Sequence, residues 1–163
     1  MSALHASVVG LHILGAVLAL VTGGLALVYS NGSPAHRLVG KLYLLGWVLL
    51  AGLGYVIDAW TPGLSVFSGF NTLGLFLVGG AFYAVRHRQR IGRNWLRRHM
   101  LWMITSWVLA WIAMLVQMLP RFGVPATSSV FYLVIQLPAT LGAFLMLRLL
   151  QRYTRSPAKS ATS

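Results

Sequence analysis

The chain of 163 residues has no cysteine and only one acidic side chain, Asp58, against 13 Lys or Arg. Without cysteine there is no disulfide, no thiolate zinc site, no Cys-held iron–sulfur cluster and no covalently attached c-type haem. A single carboxylate rules out the paired acids of glycoside hydrolysis and the oxygen cages that hold magnesium or calcium. The Gly-Lys-Ser/Thr end of a phosphate-binding loop is also missing. Charged residues make up 9% of the chain, where a soluble domain carries about a quarter. What is abundant is apolar: 58% of the residues are hydrophobic, and they fall in long runs. That is the composition of a chain that lives in a bilayer.

A helix needs about 20 apolar residues to cross a hydrocarbon layer about 30 Å thick. Five runs reach that length, at residues 8–29, 38–60, 66–85, 100–119 and 128–147. Turn chemistry separates them: Gly32 with Pro34, Pro62 with Gly63, a basic stretch over 86–99, and Pro125 in the fourth loop. The sequence therefore predicts an all-α membrane protein, a bundle of five transmembrane helices in one domain over 1–152, followed by a disordered basic cytoplasmic tail over 153–163. Residues 1–6 contain no Lys or Arg, and the first run is long enough to span, so the first helix reads as a retained span, not a cleaved signal.

Basic residues near spans stay on the cytoplasmic side. Arg37 and Lys41, then Arg86, Arg88, Arg90, Arg93, Arg97 and Arg98, then Arg148, Arg152, Arg155 and Lys159 share one face of a five-pass chain, and only Arg121 lies opposite. This predicts an N-terminus outside and a C-terminus inside. The excess of arginine, mixed with Trp95, suits anionic lipid head groups at that face and calls for no nucleic acid.

Gly15, Ala19 and Gly23 repeat every four residues on the first span, a spacing that lets helices approach closely in lipid. His12 precedes Gly15 by three residues, which turns it toward the same neighbour. The fourth span carries Met100, Met103, Trp107, Trp111, Met114 and Met118 on one face, a stripe that reads as packing or as the wall of a cofactor pocket.

Polar residues fall at two depths. His12, Asn71, Gln117 and Gln136 lie within about two turns of the outer ends of their helices, and Asp58 joins them at the boundary. Such residues are expected to form an outer polar pocket, or to bond with one another, with Asp58 paired to Arg121, the only outer cation. At the inner face His36, His87 and His99 stand near helix ends, and antiparallel packing can bring them to one interface. They are the candidate ligands of a metal or a haem, with Met103 as a thioether one turn beyond His99, and with Arg37, Arg97 and Arg98 placed to hold propionates. Haem b is the leading cofactor.

Several of these residues also resemble a bacterial family of small, predicted multi-pass membrane proteins of unknown function. The resemblance rests on His12, Ala19-Leu20, Gly23, Ala26-Leu27, His36-Arg37, Gly40, Tyr43, His99-Met100-Leu101-Trp102-Met103 and Ser106. It covers the first, second and fourth spans, somewhat under half of the chain. It implies a helical bundle in a bacterial cytoplasmic membrane, with His12, His36 and His99 as signature positions and no established reaction. A looser analogy, in helix number and boundary histidines, is to b-type membrane cytochromes.

Three functional expectations follow. The first is a redox protein in which His36 and His99 ligate haem b or a metal. The second is a cofactor-free transporter that uses His12, Asp58, Asn71, Gln117 and Gln136. The third is an accessory subunit, within a larger membrane complex or a homo-oligomer. No nucleophile, base and orienting group can be assigned together, so the sequence does not point to an enzyme.

Overall fold

The computed structural model describes residues 3–60 and 65–154, with side chains described as far as Gln151. The Pro62-Gly63 turn, the Arg152 side chain and the tail over 155–163 with Arg155 and Lys159 lie outside the described residues. The elements are α1 (Ala3–Val28), α2 (Pro34–Ala59), α3 (Val66–Arg86), a short α4 (Arg88–Ile91), α5 (Trp95–Met118) and α6 (Ser129–Thr154). Single 3-10 turns follow α4 and α5. Helices α1, α2 and α3, the segment around α5, and α6 give five spans long and apolar enough to cross a membrane.

The helix starts follow from local chemistry. Ser33 caps α2 by accepting a hydrogen bond from the His36 N–H at 3.1 Å, and Pro34, which has no N–H to satisfy, occupies the first turn. Ser65 caps α3 in the same manner through the Phe67 N–H. Gly92, at φ 64°, turns the chain between α4 and α5 in the left-handed region that side chains disfavour.

Two boundaries differ from the sequence expectation. The first helix begins at Ala3, because the Ser7 hydroxyl bonds back to the Ala3 carbonyl at 3.0 Å and so is satisfied within the helix. The basic stretch over 86–99 is largely helical, in keeping with the high helix propensity of Arg and Gln.

Helix α1 packs on α2 and α5, α2 on α3, and α3 on α5. These four close a ring in which α2 and α5 stand on a diagonal, and α6 packs on the outside of α5. The α1–α2 contact is the closest. A Cβ added to Gly46 would stand 2.7 Å from the Ala19 backbone nitrogen, and one added to Gly15 would stand 2.8 Å from that of Leu50. The small-residue row expected on the first span thus lies in this interface, where backbones approach and dispersion replaces the hydrophobic effect as the adhesive force.

Three further glycines of the ring receive aromatic rings. Trp47 fills the space at Gly74, Trp102 that at Gly80, and Trp107 with Tyr43 that at Gly23. Trp107 also donates its indole N–H to the Leu20 carbonyl at 2.9 Å. Met103, Trp107, Trp111 and Met114 pack against the central cluster of Ala19, Tyr43, Trp47, Val78 and Ala110, which is the packing role expected of the stripe. Met118 is exposed.

Helix α6 is less embedded. Gly142 admits Val108 of α5. Next to that contact Trp107, Trp111 and Leu115 face Val134, Leu137, Pro138 and Leu141 across an apolar groove of about 320 Å³.

Candidate functional sites at the two ends of the bundle

The ring carries a histidine arrangement at each end. At the basic end, His36 stands in the first turn of α2 and donates from Nδ1 to the Ala26 carbonyl of α1 at 3.1 Å. His99 stands one turn into α5 and donates from Nδ1 to the Ala81 carbonyl of α3 at 3.1 Å. A carbonyl only accepts, so each bond fixes the proton on Nδ1 and leaves the lone pair on Nε2.

The two histidines are built alike. Each sits near the start of the second helix of a hairpin and is tied to a carbonyl near the end of the first. The hairpins α1–α2 and α3–α5 therefore present equivalent imidazoles from diagonal helices.

Two turns farther along the same helices a second pair meets. Tyr43 and Ser106 follow His36 and His99 by seven residues each. Seven residues return a side chain to nearly the same face about 10 Å along the axis. The Tyr43 hydroxyl and the Ser106 Oγ stand 2.8 Å apart, and Ser106 also donates to the Met103 carbonyl at 2.9 Å. Both residues are buried, with Trp47 beside them, and Trp47 Nε1 is the one sealed side-chain polar atom among the described residues that lacks a hydrogen-bond partner. This contact joins the diagonal helices at mid-bundle. Sequence reasoning named Tyr43 and Ser106 only through a family resemblance; the equal spacing from the two histidines is the signal that pairs them.

The other residues expected at the basic end do not join the histidine pair. His87 stacks on Tyr83 at 4.2 Å and bonds to the Tyr83 carbonyl of its own helix. No group of three or more His, Asp or Glu side chains suited to a metal forms among the described residues. Met103 packs against the central cluster, and Arg37, Arg97 and Arg98 are exposed at the ends of α2 and α5.

At the opposite end, His12 of α1 donates from Nδ1 to the Leu50 carbonyl of α2 at 2.8 Å. That bond directs the ring into the bundle, as its position on the Gly15 face predicts. Asn71 of α3 is 7% exposed and makes no side-chain hydrogen bond among the described residues. Both lie over Gly54 of α2: a Cβ there would stand 2.5 Å from Asn71 Nδ2 and 3.4 Å from His12 Cε1. Gly54 is what allows them to approach, and sequence reasoning did not single it out.

The rest of the expected outer pocket is dispersed. The expected Asp58–Arg121 pair does not form: Asp58 accepts the Ser68 hydroxyl of α3 at 2.5 Å, while Arg121 donates to the Gln117 carbonyl at 2.8 Å. Asp58, in the last turn of α2, meets Ser68 in the first turn of α3, whereas Arg121 reaches a carbonyl at the C-terminal end of α5. Gln136 is exposed on α6, which packs outside the ring, so it cannot face His12. Gln117 is half-buried near the end of α5.

A ring of four apolar helices with a fifth against it, polar groups turned inward at both ends, defines a polytopic α-helical membrane protein. Residues 9–153 match the model of the family described as Predicted membrane protein (DUF2306), and the chain belongs to that family. The match runs through the third and fifth spans, which carry none of the residues on which the family resemblance rests. No curated protein and no solved structure matches the chain.

Proposed function

We propose that the protein is a b-type haem protein of a bacterial cytoplasmic membrane, whose haem would be held by His36 and His99. The observation that carries this reading is the matched pair of imidazoles on diagonal helices, each with Nδ1 held by a neighbour's carbonyl and Nε2 left with its lone pair. A bond of this type, made by the ring nitrogen that does not ligate, sets the tautomer and orientation that a ligating histidine needs.

The number of donors suits haem. A haem would ask the protein for one or two ligands, which His36 and His99 would supply, whereas a bare zinc ion would ask for three or four. His36 and His99 stand at equivalent positions on diagonal helices, and His87 bonds within its own helix. Arg37, Arg97 and Arg98 are exposed at the same end and supply planar donors for propionate carboxylates. Haem, when bound, supplies one-electron chemistry. The chain's own residues orient the ligands and, through the Tyr43–Ser106 contact, hold the two ligand-bearing helices at a fixed separation.

The charge distribution supports an N-terminus outside, the basic end in the cytoplasm, and anionic lipid head groups at that end. The test is the absorption spectrum of protein purified in mild detergent from haem-sufficient cells. The wild type and His87→Ala show a Soret band; His36→Ala and His99→Ala lose it while keeping the helical circular dichroism of the wild type. A colourless wild type that takes up no haem on reconstitution overturns the reading.

A further inference from the structure

The groove between α5 and α6 carries an inference that is independent of haem. We infer that it seats one acyl chain of an anionic phospholipid, from the leaflet at the basic end, whose phosphate is held by Arg148. This gives a defined seat to one of the anionic lipids proposed for that end. Trp107 and Trp111 of α5 form one wall, and Leu137 and Leu141 of α6 form the other. The Trp107 N–H is already given to the Leu20 carbonyl, so the wall asks for hydrocarbon. Leu137 and Leu141 are exposed, and α6 lies outside the ring, so the groove opens toward lipid.

Its size selects the occupant. From Trp107 to Leu115 the groove runs about 12 Å along α5, so a volume of about 320 Å³ corresponds to a cross-section of about 27 Å². A helix about 10–12 Å across covers roughly 80 Å² or more. One extended hydrocarbon chain fits such a slot, and the helix of a second copy does not. The walls also lack the small residues through which helices approach in lipid, since Gly142 is already taken by Val108.

Charge selects the head group. Val134 and Leu141 line the groove seven residues apart, and Arg148 follows after seven more, which keeps it near the same face of α6 and about 10 Å closer to the basic end. Helical side chains lean toward the N-terminus, which in α6 is the direction of the groove. The Arg148 guanidinium accordingly lies over the Phe144 ring, 4.6 Å from its centre. Leu137, Leu141 and Phe144 are all exposed, so an apolar stripe leads from the groove to the cation. A chain laid along that stripe brings its phosphate to the guanidinium, whose planar donors match phosphate oxygens. The single acidic side chain, Asp58, is held by Ser68 at the opposite end, so no acidic side chain competes for Arg148.

The experiment uses the full chain in mild detergent, incubated with phosphatidylglycerol or with phosphatidylcholine of the same acyl chains, and counts retained lipid by native mass spectrometry. One phosphatidylglycerol per chain is expected, retained at least ~5-fold more than phosphatidylcholine, the factor that one Arg near an anionic membrane surface is worth. Arg148→Gln is expected to bring phosphatidylglycerol down to the phosphatidylcholine level, while Arg88→Gln, at an exposed position of α4, leaves it unchanged. Val134→Phe, which puts a ring into the groove, is expected to remove the retained lipid. Equal retention of the two lipids, equal losses in Arg88→Gln and Arg148→Gln, undiminished retention in assembled Val134→Phe, or a dimer in place of the lipid adduct overturns the inference. If Val134→Phe fails to assemble, the two arginine variants decide. A preference for phosphatidylglycerol that survives Arg148→Gln sinks this seat and leaves the charge reading of the basic end standing. Haem absorbance does not enter the measurement, so failure here is distinguishable from failure of the haem reading.

Discussion

The two ends of the bundle use one local device in different ways. At both, a histidine on one helix donates from Nδ1 to a carbonyl of a neighbouring helix, which fixes the tautomer and leaves the lone pair on Nε2. At the basic end the device occurs twice, on diagonal helices at matching depth. At the other end it occurs once, and an asparagine amide takes the second place. Under the proposal above, the two acceptors of the basic end would ligate a haem, and His12 at the other end would not. The difference lies in the company each histidine keeps, a second histidine at the basic end and a buried asparagine at the other.

The largest effect expected from this comparison is all-or-none. His36→Ala and His99→Ala abolish haem absorbance, while His12→Ala at the opposite end leaves the Soret band in place. Loss of the band in all three variants would remove the distinction between the ends.

Packing separates the positions next. Gly46→Ala drives a methyl group into the Ala19 backbone and is expected to destabilise the bundle by about 1–3 kcal/mol. Gly40→Ala, near the basic end, meets nothing within 4 Å and is expected to change stability little. Thermal unfolding in detergent, followed by circular dichroism, reads both. Tyr43→Phe removes one hydrogen bond between the diagonal helices yet leaves Ser106 bonded to Met103, for a loss of about 1 kcal/mol. The smallest effect is a coupling of about zero between Asp58→Asn and Arg121→Ala, since these side chains have separate partners. A double-mutant cycle that yields a favourable coupling above ~1 kcal/mol would restore the ion pair.

Much of the architecture is legible in the sequence, because a bilayer imposes length and composition on each span. The runs at 38–60 and 66–85 agree with α2 and α3 to within a few residues. The inward direction of His12 follows from its spacing to Gly15. Partner choice is less legible. Depth alone places Asp58 and Arg121 at one end, but the competition is decided by Ser68, on the helix that follows Asp58, and by the free carbonyl of Gln117. Depth likewise groups Gln136 with His12, although the ring is complete without α6, a fact of packing order that hydropathy does not encode. Gly54 escapes notice because its role is to lack a side chain, which becomes visible only when the residues that occupy the space are seen.

The central claim, that His36 and His99 together ligate haem, is tested most directly by chemical rescue. His36→Gly and His99→Gly proteins are reconstituted with haem b, and reduced-minus-oxidised spectra are recorded with and without added imidazole. The account predicts a six-coordinate b-type spectrum in the wild type, its loss in each variant, and its return when imidazole fills the vacated position. A wild-type spectrum that survives both substitutions, or the lack of any haem spectrum in the wild type, would contradict it.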